Sequence, residues 1–230
     1  MKRLCVVALS LICSVASLST LRAEEDGFKP IFNGEDLKGW SGEEKFWRVE
    51  EGVIVAETTA EKPTQGNTFL IWTEKEPADF ELKLRYKIVT DQANSGVQVR
   101  SERVGDFAMK GYQPDIANVD WITGINYEEK GRGILARRGE KVTFDSEGNK
   151  ESERFAEEAE LLKEINAKDW NEYHVICKGN TLTAKINGQM MHQIIDDSPQ
   201  AKKKGLIGLQ LHAGPPMTLH FKDVRIKMAE

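Results

Sequence analysis

An all-β protein, a two-sheet sandwich or jelly roll, is predicted here from three observations. Short runs alternate apolar with polar or charged residues, the period of a half-buried strand. Turn signals separate those runs at close spacing, giving about ten short strands. Only one segment, Glu151 to Lys163, shows a helical period. The chain has 230 residues, 40% of them hydrophobic and 30% charged. Those proportions fit a globular protein and exclude a polytopic membrane protein, a collagen-like chain and wholesale disorder.

Met1-Lys2-Arg3 is a short positive start, and Leu4 to Leu18 is apolar apart from small Ser and Cys. Leu21-Arg22-Ala23 then ends in a small residue before Glu24-Glu25-Asp26. That order is a secretory signal cleaved after Ala23. Its apolar run of about 15 residues is short of the roughly 20 that a spanning helix requires. The expected organisation is therefore a signal over 1–23 and one domain over 24–230. The product is exported, periplasmic or extracellular, without membrane insertion after cleavage.

Cys5 and Cys13 leave with the signal, so the mature chain keeps Cys177 and forms no internal disulfide. A buried, inert thiol is expected there. Residues 1–23 hold three basic residues and no acids, so the remainder sets 29 basic against 37 acidic residues, a balance of −8. Such a chain has no global electrostatic reason to bind nucleic acid.

Phe80 to Ile88 alternates over its whole length and places Phe80, Leu82, Leu84, Tyr86 and Ile88 on one face. After the turn signal Asn94-Ser95-Gly96, Val97, Val99 and Ser101 oppose Gln98 and Arg100. Gly111 to Ile116 alternates next, with Gln113 and Asp115 sharing a side. Phe155, Ala159 and Leu162 form the apolar stripe of the expected helix, a surface element inside a loop-rich insertion over 137–168. Tyr173 to Cys177 runs to the turn Lys178-Gly179-Asn180. Thr181 to Ile186 and Gln189 to Ile195 flank Asn187-Gly188, a hairpin signal. Leu206 to His212 and Met217 to Ile226 complete the strands.

Polar residues gather where a plain sandwich would bury apolar ones. Gln98 with Arg100, Gln113 with Asp115, and Gln210 with His212 are three i, i+2 pairs, each aimed to one side of a strand. Tyr127, Glu128, Glu129 and Arg132 crowd between glycines in Gly124 to Gly133. Carboxylates, amides and an Arg on one concave face can hydrogen-bond sugar hydroxyls, with Trp121 or Tyr127 packing on the ring. Glu129, His212, Asp115 and Arg100 are the catalytic candidates. Gln98, Gln113, Trp121, Tyr127, Glu128, Arg132 and Gln210 are the substrate-binding ones. His174, His192 and His220 sit in ordinary strand patterns. No Gly-rich phosphate loop, G-x-S-x-G elbow, H-E-x-x-H zinc helix or E-x-D-x-x-E strand is present.

Phe28-Lys29-Pro30-Ile31-Phe32-Asn33-Gly34-Glu35-Asp36-Leu37-Lys38-Gly39-Trp40 resembles the opening motif of the 3-keto-disaccharide hydrolase family. The resemblance runs on through Asn94 to Ser101, Gly111 to Ile116, Gly124 to Arg132, Trp170 to Tyr173, Ile186 to Gly188 and Gly205 to His212, spanning residues 28–227. It implies a concanavalin-like jelly roll and cleavage of glycosides already oxidised to a ketone at C3. The insertion between Leu135 and Asp169 departs from the family's commoner pattern. The implied chemistry needs a base for the C2 proton, a donor or cation at the enolate oxygen and an acid at the departing oxygen. Asp115, Glu128, Glu129 and His212 are the acid–base candidates; Arg100, Gln113 and Tyr127 are donors. A divalent metal held by carboxylate and His could take the place of the Arg at the enolate, although the spacing itself shows no metal site. Two other readings stand beside this one: a non-catalytic, lectin-like carbohydrate-binding module, and an ordinary glycoside hydrolase.

Overall fold

The computed structural model describes residues 27–229, so the expected signal at 1–23 lies outside the described residues. The chain opens with β1 (Lys29–Pro30), β2 (Trp40–Ser41), β3 (Trp47–Glu50), β4 (Val53–Glu57), β5 (Thr68–Trp72) and β6 (Phe80–Ile88). There follow β7 (Asn94–Arg103), β8 (Met109–Ala117), β9 (Asn126–Glu129), β10 (Gly133–Ala136), β11 (Glu140–Phe144) and β12 (Lys150–Arg154). After α1 (Glu158–Leu162) come β13 (Asn171–Lys178), β14 (Thr181–Ile186), β15 (Gln189–Asp196), β16 (Leu206–Leu211) and β17 (Thr218–Met228).

Two sheets form the predicted sandwich. The larger has ten strands in the order β12-β11-β15-β14-β13-β6-β17-β4-β3, with β1 paired to β17; the smaller has seven, β10-β9-β8-β7-β16-β5-β2. The period-2 pattern of β6 is realised in full. Phe80, Leu82, Leu84, Tyr86 and Ile88 are at most 5% exposed, while every residue between them is half-buried on the solvent side. Across the core they meet Val97, Val99, Leu209 and Leu211 of the smaller sheet in one contiguous apolar cluster. Leu84→Ala should therefore cost about 2–5 kcal/mol, read as a lowered denaturation midpoint. The turn at Asn187 (φ 51°) and Gly188 (φ 86°) has positive φ at both positions, which fits the type I′ hairpin joining β14 and β15. Cys177 is buried, and burial pushes its thiol up to about 12, which keeps it protonated and inert.

Two local expectations are corrected. Asn94-Ser95-Gly96 is the start of β7, and the turn lies earlier, around Gln92 with φ 59°. The loop-rich segment 137–168 also holds two strands, and its helix is shorter than the pattern implied. Asp145 accepts hydrogen bonds from the backbone N–H groups of Glu147 and Asn149 and from the Asn149 side chain. That tight turn sends Lys150–Arg154 back along β11 as an edge strand, and β11 itself runs parallel to β15. The five residues of β12 are all exposed and offer no stripe to bury, so pairing with an open strand wins over helix. Within α1 the buried residue is Leu161, while Phe155 is 37% exposed.

Candidate functional site

The outward face of the smaller sheet carries a ladder of polar side chains. In β8, Tyr112 and Ile116 turn into the core, so Gln113 and Asp115 turn outward. β9 pairs with β8 so that Glu129 lies opposite Gly111 and Tyr127 opposite Gln113, which puts both on the same outward side. Gln98 of β7 and Gln210 of β16 share it, because Val97, Val99, Leu209 and Leu211 fill the core. A relay of hydrogen bonds crosses the sheet. Ser101 Oγ donates to Gln98 Oε1 (2.5 Å), Gln98 Nε2 to Gln113 Oε1 (2.8 Å), and Gln113 Nε2 to Asp115 Oδ1 (2.7 Å). Gly96 makes room for it: a Cβ there would stand 2.5 Å from Gln113 Cγ and 2.9 Å from Asp115 Oδ1.

Above this ladder lies a cavity of about 280 Å³ lined by Gln113, Asp115, Trp121, Tyr127, Glu129, Gln210 and His212, with Asn67, Asn94, Ile122, Ile125 and Ile134 completing the wall. Three groups in it can exchange protons. Glu129 is 8% exposed, and its Oε2 faces the amides of Asn67 (3.2 Å) and Gln210 (3.5 Å). Asp115 is 5% exposed; burial raises its carboxyl well above the usual range, Gln113 opposes this, and the neighbouring charge of Glu129 adds to it. Its Oδ1 takes the Gln113 amide, so a proton on the acid belongs on Oδ2. His212 lies one residue beyond β16. Its Nδ1 is 2.5 Å from the carbonyl of Ala213. A carbonyl only accepts, so Nδ1 carries hydrogen and Nε2 is left for the cavity. Gln210 is fully buried and its Oε1 has no partner, an acceptor that awaits a donor.

Gln98 is fully buried beneath this cavity, and neither it nor Arg100, Glu128 and Arg132 line it. Arg100 has φ 48° and sits where β7 carries one extra residue against β16, from Gln98 opposite Gly208 to Ser101 opposite Leu206. That bulge exchanges the faces of residues 100 and 101, so Ser101 joins Gln98 and Arg100 leaves for the far side. There its guanidinium donates to the carbonyls of Ala78 and Gly179 and bridges to Asp79 at 2.9 Å. Glu128 alternates with Glu129 and points between the sheets. Arg132 Nε reaches Glu128 at 2.7 Å, and its Nη2 reaches Asp196 of β15 at 2.6 Å. Tyr112 Oη also donates to Asp196 (2.6 Å), and burial with that bond raises the phenol. These charges tie the two sheets together.

The loop 118–125, which carries Trp121, is fastened from behind. His192 of β15 is fully buried; its Nδ1 donates to Gly124 O and its Nε2 accepts from Asn126. Burial pulls this imidazole down to about 4, so it is neutral at physiological pH. Arg138, 2% exposed, donates to the carbonyls of Thr123 and of Glu158 in α1. Trp121 itself is 57% exposed at the cavity mouth. Asn67 and Asn94 were not among the sequence candidates. Asn94 was hidden in an apparent turn motif, and Asn67 precedes β5 with no pattern to mark it. Among the described residues no group of three or more His, Cys, Asp or Glu side chains is arranged to hold a metal ion. No helix among them is long and apolar enough to cross a membrane.

Residues 27–227 match the sequence profile of the 3-keto-α-glucoside-1,2-lyase-like domain. No functionally curated protein matches the chain. A solved structure of a candidate glycosyl hydrolase from Parabacteroides distasonis is similar at 20% identity and a TM-score of 0.57, covering 89% of this chain and 94% of that one. The carbohydrate binding module CBM66 from Bacillus subtilis superimposes at 12% identity and a TM-score of 0.55 over 82% of this chain and 95% of its own. A Bacillus subtilis protein of unknown function with a galectin-like fold gives 11% identity and a TM-score of 0.59, covering 87% and 94% of the two chains. These three likenesses concern the fold.

Proposed function

The chain belongs to the family of 3-keto-α-glucoside-1,2-lyase-like domains, and from that we propose that it cleaves 3-keto-glycosides by elimination followed by hydration. What carries the reading is the convergence of Glu129, His212 and Asp115, drawn from β9, the end of β16 and β8, on one cavity with the orphan acceptor of Gln210. A ketone at C3 acidifies the hydrogen on C2. Glu129 takes that proton, and the C2–H electrons flow toward the ketone as an enolate. Asp115, whose carboxyl burial raises well above the usual range, donates a hydrogen bond to the enolate oxygen in its protonated form. The enolate then reforms the ketone and expels the C1 substituent, whose oxygen receives a proton from the Nε2 of protonated His212.

The sugar is now an enone. Water adds at C1 as neutral His212 takes its proton, and Glu129 returns a proton to C2. Both residues end as they began, and the net reaction is hydrolysis. Asp115→Asn retains a hydrogen-bond donor but loses the acid. It should lower kcat more than it raises KM, which steady-state kinetics will separate.

The decisive experiment gives the mature protein a chromogenic 3-keto-glucoside and its unoxidised parent. Cleavage of the keto form alone is expected. Cleavage of both would assign an ordinary glycosidase, and binding without turnover a carbohydrate-binding module. Export belongs to the same proposal and rests on the signal pattern of residues 1–23. N-terminal sequencing of the secreted product should begin at Glu24, and a cytosolic product retaining Met1 would count against it.

A further inference from the structure

The solvent face of the ten-stranded sheet bears a charge pattern that its own pairing does not need. The register of β6 and β17 sets His220 opposite Lys87, Lys222 opposite Arg85 and Arg225 opposite Lys83. Like charges directly opposite on neighbouring strands cost stability. β13 then places His174 beside Lys83, and β14 places Lys185 beside His174, so one basic row crosses four strands. On these four strands eight Lys and Arg side chains face outward between residues 83 and 227, against Glu81, Glu172 and Asp223. The local excess of cations contrasts with a chain of net charge −5. Charges are common on edge strands, where they block aggregation. β17, β6, β13 and β14 are interior strands, and that purpose does not apply.

Two aromatic rings are built into the same rungs. The Trp170 ring centroid lies 4.1 Å from Lys222 Nζ and 5.9 Å from the Arg85 guanidinium. The Phe28 centroid lies 4.8 Å from Lys83 Nζ and 5.8 Å from the Arg225 guanidinium. Each ring thus braces both cations of a like-charged pair at the surface. The two histidines register the same field. Burial first, with Lys83 and Lys185 acting against Glu81, lowers His174; burial first, with Lys87 and Arg48 acting against Glu50 and Glu57, lowers His220.

We propose that this face is a second carbohydrate site, one that holds an acidic polysaccharide by its carboxylate or sulfate groups while the cavity on the opposite face stays open. Rungs lie about 7 Å apart along the strands and neighbouring strands about 4.8 Å apart. That spacing fits a polymer with its charges set one to a sugar ring. A duplex with one phosphate charge per about 1.7 Å is too dense for a face interrupted by Glu81, Glu172 and Asp223. The assignment is independent of the chemistry in the cavity.

The test titrates the full mature chain with polygalacturonate at low salt, with neutral dextran and duplex DNA as comparisons. Binding to polygalacturonate alone is expected, weakening as salt rises. The double variant Lys83→Glu, Lys222→Glu should lose at least tenfold in affinity. Lys83→Gln with Lys222→Gln, which keeps much of the packing stems, should lose less but measurably, and a circular-dichroism melt will establish that each variant is folded. In the wild type, NMR titration should show the midpoints of His174 and His220 rising when the polymer is bound. Absence of binding at low salt, binding undiminished in the folded variants, or equal affinity for duplex DNA would each overturn the proposal.

Discussion

Glu129→Gln will lower turnover of a 3-keto-glucoside by about 10²–10⁴-fold, the usual contribution of a positioned general base. The substitution keeps the shape of the side chain and removes its basicity. Asn67 and Gln210, which now face Glu129 Oε2, would meet an amide. KM should change little, because the loss falls on proton transfer rather than on binding. His212→Ala should fall within the same range, since the variant has no nitrogen to protonate the departing oxygen. The measurement is kcat and KM for each variant beside the wild type, with substrate binding followed separately. A loss smaller than tenfold in both would remove Glu129 and His212 from the mechanism.

The largest effect on stability is expected at Arg132. Its guanidinium serves Glu128 and Asp196, both 4% exposed, and Tyr112 donates to the same Asp196 oxygen. Arg132→Met leaves two buried carboxylates without their cation, a loss of about 3–5 kcal/mol at neutral pH. The pH dependence has a defined sign. Burial alone would raise Asp196, but hydrogen bonds from Arg132, Ser198 and Tyr112 outweigh it and hold the acid below its ordinary 3.8. A carboxylate lowered by folding contributes stability above its unfolded pKa and loses that contribution as pH falls through the folded one. The gap between wild type and variant should therefore be widest near neutrality and narrow in acid below 3.8. Urea unfolding at about pH 7 and about pH 3 will show this, and a gap that widens in acid would contradict the assignment.

The two-sheet architecture was legible because β6 alternates without a break, and because Asn187-Gly188 has the chemistry its turn requires. The same rule of two places Gln113 with Asp115, and Gln210 with His212, on one side of their strands. It fails at Arg100 because an added residue in β7 inverts the alternation there, and a bulge leaves no composition signal when the residue in the left-handed region is an arginine. Adjacent Glu128 and Glu129 look alike in sequence, yet the pleat sends one between the sheets and the other into the cavity. The failure at 151–163 has a different origin. Helical spacing of Phe155, Ala159 and Leu162 is a local property, while the open edge of β11 that captures residues 150–154 is created by a pairing with β15 some fifty residues away.

Arg138 and His192 touch no part of the cavity, yet both grip the segment that forms its mouth. Through the carbonyl of Glu158, Arg138 also anchors α1. The mouth is thereby wired to α1 and to β15. A substitution at Arg138 or His192 would therefore reach the loop of Trp121 through its backbone carbonyls, with the identity of every wall residue unchanged.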